Sequence, residues 1–198
     1  MRSLTYVFNF FIFFNSFNFL SMTSSETELR VQRGIDYFKQ GYNCSQSVAL
    51  AFADRYDIPE PLMARIAASF GGGIGRMRET CGAACAMFLL AGLEVTNVEG
   101  RHEDYPQDSN PYPNPELKKK DYEVVQMLAE RFKAQTGSLL CKELLGLNKQ
   151  RADGTIPDIV ISATPEARTD EYYRKRPCIR MVETAIRTYM AYLEELPK

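Results

Sequence analysis

No Cys-x-x-Cys pair occurs anywhere in these 198 residues. That argues against a zinc ribbon and against a thioredoxin-type site, since each needs two thiols about one helical turn apart. Histidine occurs once, as His102 in a proline-rich stretch. A Cys–His nucleophilic pair would require that stretch to fold over a thiol, so hydrolytic chemistry is disfavoured. Neither sign of charge is in excess: 24 basic and 25 acidic residues give a formal net charge of −1, without the basic footprint of a nucleic-acid-binding protein. Lys118-Lys119-Lys120 reads as a solvated helix face. The run Gly71-Gly72-Gly73-Ile74-Gly75 lacks the Gly-Lys-Ser/Thr ending of a phosphate-binding loop, and no strand pattern precedes it. No pair of alternating strands with a hairpin signal is present, nor any internal repeat. The expected fold class is all-α, a bundle of about six to seven helices.

Five cysteines in a chain of this length are too few for a disulfide-dense mini-domain, and the odd count leaves at least one thiol unpaired. With 45% hydrophobic residues, the chain can instead bury one substantial core. Residues 1–21 do not match the rest. They are mostly Phe, Asn, Leu, Ile and Ser with Arg2 as the single charge, and the composition turns polar at Met22. Asn9, Asn15, Ser16 and Asn18 interrupt the apolar run, and no A-x-A-like cleavage site follows it. Both features argue against an efficient secretory signal or a stable membrane span. Translation from Met22 would give a cytoplasmic protein, whereas a functional targeting or anchoring segment would make it secreted or membrane-associated. Either way residues 1–21 are set apart, and residues 22–198 are expected to form a single helical domain.

Within that part, Val31, Ile35 and Phe38 share one face of a helix ended by Gly41. Asn43 is placed to cap a second helix running to about Arg55. Pro59 and Pro61 open a third, with Leu62, Ile66, Ala67 and Phe70 as its expected buried stripe. The glycine run then allows close backbone approach and positive φ. The helix after it, Cys81 to about Leu93, is small or apolar on every side and should be central. Residues 96–116 read as a surface loop. A long helix follows from about Glu116 to Gln135, with Tyr122, Val125, Leu128 and Phe132 as its stripe, and Gly137 ends it. A short helix over 139–145 comes next. Residues 147–170 look irregular, with Ile159-Val160-Ile161 as a candidate strand, and a last helix spans Pro177 to Leu196.

The placement of the cysteines is the informative feature. Cys44 follows Asn43, Cys81 follows Thr80, Cys141 comes three residues after Ser138, and Cys178 follows Pro177. Asn, Thr and Ser are strong helix caps and proline favours the first helical position, so each thiol is expected in a first turn. Unpaired N–H groups and the helix dipole there favour the thiolate, the form that attacks disulfides and binds metals. Cys81 carries the strongest individual signal, with Arg76 and Arg78 nearby and Glu79 opposing them. The two arginines themselves read as surface charges or as anion-binding groups, with the surface reading favoured. Cys85 lies one turn beyond Cys81 on the same face, a spacing that suits two ligands of one metal better than an intrahelical disulfide. Alone on an apolar face it reads as core filler.

Taken together, Asn43-Cys44-Ser45-Gln46, the run Phe70 to Met77, Cys81-Gly82-Ala83, Cys141-Lys142-Glu143-Leu144-Leu145-Gly146 and Cys178 at a final helix resemble the C_GCAxxG_C_C family of redox-active proteins. The resemblance spans about residues 28–195. It implies four family cysteines, Cys44, Cys81, Cys141 and Cys178, with Cys85 as an extra. Ala86 stands where the family motif has its last glycine, a change that narrows backbone approach without removing a sulfur. The family label rests on the cysteines themselves and does not define a reaction. A related domain is associated with split-Soret cytochromes, where four such cysteines look like an iron–sulfur site. No Cys-x-x-Cys-His occurs here, so covalent haem is not implied.

The leading expectation is a redox protein that uses Cys44, Cys81, Cys141 and Cys178 as redox thiols or as ligands of an iron–sulfur cluster, passing electrons to an unidentified redox partner. An alternative is a structural zinc-type site with the same four ligands. Another is a helical interaction module with cysteines as core residues. Nucleic acid is not an expected partner, a membrane is one only if residues 1–21 anchor the chain, and a homo-oligomer is compatible with the sequence. Both the redox and the metal readings require packing to gather the four sulfurs into one pocket.

Overall fold

The structure, a computed structural model, describes residues 25–96 and 114–197. The apolar segment 1–21 and most of the expected loop 96–116, with His102, lie outside the described residues. Helix α1 spans 25–39. It is followed by α2 (Cys44–Leu50), α3 (Glu60–Ala67), α4 (Gly82–Thr96), α5 (Pro115–Thr136), α6 (Cys141–Leu144), α7 (Asp170–Lys175) and α8 (Cys178–Glu194). Among the described residues there is no strand, only an isolated antiparallel bridge between Thr80 and Leu140, so the fold is all-α. No helix among them is long and apolar enough to cross a membrane.

Helix α4 is central because its sequence leaves it no polar face. Ala83, Ala84, Ala86, Met87, Leu90, Ala91 and Val95 are all buried. Small residues at its start let neighbouring backbones come close, and α2, α5 and α8 all pack on it. Around it Phe38, Leu50, Phe52, Met63, Leu128, Phe132, Ile186 and Tyr189 are fully enclosed. Each such side chain contributes roughly 1.5–3 kcal/mol of transfer free energy. The Tyr189 hydroxyl donates to the Leu90 carbonyl at 2.9 Å and accepts from Tyr56, whose single proton is shared with Glu94 at 2.8 Å. The largest fully buried side chain thus has its hydroxyl satisfied.

Several expected elements shift. The second helix ends at Leu50, not near Arg55, and the chain tightens into a 3-10 turn over Ala53–Tyr56 whose last carbonyls are met by Asp57 in the left-handed region. In α3 the buried positions are Met63 and Ala67, while Leu62 and Ile66 are exposed. Ala67 is buried as expected, but Met63 turns inward in place of Leu62 and Ile66, because α3 leans on α2 and a 3-10 turn over Ala68–Phe70, not on the whole core. In α5 Val124 is buried in place of Tyr122, which stays in solvent. Ile159, Val160 and Ile161 form no strand: no neighbouring segment offers a ladder, and Val160 is 79% exposed. Helix α7, capped by the Thr169 hydroxyl, lies between the expected irregular stretch 147–170 and the last helix, where no element was expected.

Candidate functional site

Four segments bring one cysteine each to a single cavity of about 360 Å³, lined by Cys44, Cys81, Cys141 and Cys178. Cys44 opens α2. There the Asn43 side chain accepts from the N–H groups of Ser45 and Gln46, and the Gln46 side chain accepts from the Asn43 N–H, a complete capping box. Asn43 also donates through Nδ2 to the Ala68 carbonyl at 2.9 Å, tying this helix start to the chain that leads into the glycine run.

Cys81 and Cys141 are joined by backbone. The Cys81 N–H donates to Leu139 and the Cys141 N–H to Glu79, each at 2.7 Å, on either side of the Thr80–Leu140 bridge. Thr80 is therefore not the cap of α4, as the sequence suggests. Cys81 stands at that position itself, and its sulfur accepts N–H bonds from Ala83 and Ala84. Cys141 and Cys178 occupy the first positions of α6 and α8. Pro177 falls one residue outside α8, and Ser138 satisfies the N–H of Leu140 before α6 begins.

The glycine run supplies the expected close approach. A β-carbon on Gly73 would fall 2.6 Å from the Cys141 β-carbon, and one on Gly82 would fall 2.7 Å from the Cys44 sulfur. It also carries unexpected strain. From Gly72 to Arg76 every residue has positive φ, including Ile74 at 54° and Arg76 at 62°, and Arg78 returns to it at 66°. Left-handed conformation costs a non-glycine residue about 1–2 kcal/mol, and a β-branched one is an outlier there. Backbone bonds hold the loop, among them Gly75 to Ser69 at 2.7 Å, Arg76 to Gly71 at 3.1 Å and Glu79 to Gly73 at 3.2 Å. Arg76 and Arg78, both in the left-handed region, line the cavity.

Burial reverses the expected electrostatics of the thiols. Cys81 is pushed well up by desolvation and by the nearby Cys44, more than its two N–H bonds can offset. Cys178 is pushed up to about 12 by burial, then by Cys44 and Cys141, with Arg176 and Arg168 opposing. Burial also raises Cys141, against which Arg78 acts as charge and hydrogen-bond donor. Arg78 thus serves Cys141, not Cys81. After burial, the proximity of Cys44 is the next cause that raises each of the other cysteines. Cys85 does not line the cavity. Its thiol donates weakly to the Thr80 carbonyl at 3.8 Å, and burial pushes it up to about 12. Ala86 is fully buried in α4 and also stands away from the cavity lining.

The far wall comes from Arg76 and Arg78, which the sequence leaves between surface charge and anion-binding group, and from Glu166, Arg168 and Arg176, which it did not single out. Arg78, favoured there as a surface charge, is only 5% exposed. With Arg76, Arg168 and Arg176 it faces the cavity around the carboxylate of Glu166. Arg176 binds both Glu166 oxygens, while Arg76 and Arg78 stand 3.6 Å from one of them. Arg76 also donates to the Ser162 carbonyl at 2.7 Å, and Arg168 donates to Tyr42 at 3.2 Å while lying over the rings of Phe38 and Tyr172. These contacts fold residues 162–168 over the thiols. The one signal in the sequence was the density of arginine and lysine immediately before Cys178.

Four thiols are the ligand set of an iron–sulfur cluster or a zinc-thiolate site. The test is whether they converge. Among the described residues no three Cys, His, Asp or Glu side chains come together closely enough to hold one metal ion. The arrangement therefore does not fit a four-thiolate metal centre, though it puts all four sulfurs on one cavity.

A family model described as "Putative redox-active protein (C_GCAxxG_C_C)" matches residues 42–192, more than half of the chain. Neither the comparison with curated proteins nor that with solved structures finds a match.

Proposed function

The chain belongs to the C_GCAxxG_C_C family, and from that premise we propose that it is a thiol-based redox protein whose cavity cysteines Cys44, Cys81, Cys141 and Cys178 cycle between thiol and disulfide. The observation that carries this reading is selective convergence: these four cysteines line one cavity, while Cys85, the fifth, is left outside it. A set of core fillers has no reason to segregate in that way.

Cys44 and Cys81 are the central pair, since the Cys44 sulfur lies against Gly82, the residue next to Cys81. In the exchange a cavity thiolate attacks an incoming disulfide. Its S–S bond breaks, one sulfur joins the cysteine as a mixed disulfide and the other leaves as a thiol. A second cavity thiolate then attacks the mixed disulfide, closes the protein disulfide and releases the second thiol. Two protons pass from the cysteines to the two released thiols, and two electrons pass to the substrate. The Ala83 and Ala84 N–H groups at Cys81 lower the energy of the thiolate as it forms.

The full chain purified without oxygen tests this. Expected are free thiols that fall by two or four on mild oxidation and return with a dithiol, and a loss of that cycle in Cys44→Ser and Cys81→Ser but not in Cys85→Ser. Stoichiometric iron with acid-labile sulfide, or stoichiometric zinc, would replace the thiol reading with a metal-centre one.

A further inference from the structure

We propose that the arginine wall is a binding site for a small anion lying directly over the thiols, and that the substrate class is a low-molecular-weight thiol or disulfide carrying a carboxylate or similar anionic group. The substrate class rests on the thiol-redox reading; the anion site stands on its own geometry.

Arg78 is 95% buried by its 5% exposure, it lines the cavity, and its Nε has no hydrogen-bond partner. Nη1 of Arg168, another lining residue, is also buried without a partner. A buried guanidinium N–H left unmade is costly, and the lack is remedied by an acceptor placed in the cavity. Charge points the same way: Arg76, Arg78, Arg168 and Arg176 line the cavity against the single carboxylate Glu166, an excess of three positive charges. Guanidinium is the group that grips a carboxylate or phosphate in a planar, two-bond fashion.

Much of the remaining lining is apolar, with Phe38, Leu144, Leu145 and Met181 beside the polar Asn43 and Ser69. A cavity of about 360 Å³ lies at the small end of ligand sites, roughly 300–1,000 Å³. Its occupant therefore has an anionic end for the arginines, a short apolar body and a sulfur within reach of the cysteines. For such a disulfide the balance is that of the exchange above: the substrate S–S bond takes two electrons and leaves as two anionic thiols, and one protein disulfide forms.

The competing role for these arginines is only to stabilise thiolates. Paired alkylating reagents separate the two. Iodoacetate is an anion and iodoacetamide is neutral, yet both report on the same thiolate. With the reduced full chain, the iodoacetate rate is expected to saturate with concentration and to fall when inorganic sulfate is added, while the iodoacetamide rate stays linear and indifferent to sulfate. Arg78→Gln is expected to slow iodoacetate about tenfold more than iodoacetamide, as loss of a charge-assisted forked contact implies. Arg78→Lys, which keeps the charge and loses the fork, is expected to fall between.

The saturation and competition data use the unsubstituted protein and do not depend on the folding of a variant. Equal slowing of both reagents in Arg78→Gln, or a rate ratio equal to that of free cysteine, overturns the site. Anion selectivity without a reversible disulfide supports the site and overturns the redox reading, whereas a reversible disulfide without selectivity overturns the site alone.

Discussion

The backbone N–H of Cys141 donates to the carbonyl of Glu79 at 2.7 Å, and this bond, with its counterpart from Cys81 to Leu139, sets two distant cysteines on the wall of one cavity. It depends on Gly73, whose absent β-carbon leaves room for Cys141.

Gly73→Ala is expected to destabilise the fold by at least about 2 kcal/mol, since left-handed strain adds to a clash with backbone atoms 2.9 Å away. Gly75→Ala, also at positive φ but with nothing within 4 Å, should cost only about 1 kcal/mol. Urea titration measures the difference. Equal costs would show that Cys141 does not need the gap.

Stability should decline with pH in the alkaline range. Cys81, Cys85, Cys141 and Cys178 are all raised in the folded state, two of them to about 12. An unfolded thiol titrates near about 8.5. Above that pH the unfolded chain has lost protons that the folded chain keeps, so unfolding is favoured as pH rises, and below it the effect vanishes. Urea midpoints from pH 7 to 10 under reducing conditions should fall, and Cys178→Ser should flatten the slope. A midpoint unchanged with pH contradicts the burial described.

Glu166→Gln leaves Arg76, Arg78 and Arg176 without their shared carboxylate. Glu166 is partly exposed, so the loss in global stability should be about 1 kcal/mol or less. The local effect should be larger, with faster protease cleavage within 150–168 and faster alkylation of Cys178. Cleavage at the original rate would mean that other contacts hold the segment.

Tyr189→Phe removes the bonds to Leu90 and Tyr56 and should cost about 1–3 kcal/mol by leaving buried groups unpaired. It lies away from the cavity lining, so thiol reactivity at 25 °C should not change. Altered alkylation would indicate that the core and the cavity are coupled.

Periodicity alone was enough for the central helix, because α4 is apolar all round and no error of phase can move its buried face. It was not enough for α3 or α5, where Met63 and Val124 turn inward in place of Leu62 and Tyr122; those helices touch the core along one side, and packing angle selects the row. The four cysteines were identifiable because helix starts carry local capping signals. Their convergence with Arg78, Arg168 and Arg176 was not, since it depends on the Thr80–Leu140 bridge and on the return of 162–168 across the thiols. Local chemistry also misjudged the thiols themselves, as desolvation is a property of the packed molecule.

Cys44, Cys81 and Cys141 are each less than a tenth exposed, while Cys178 is only partly buried, so of the four thiols Cys178 is the one most open to a bulky reactant, and a small molecule is the better match for the other three.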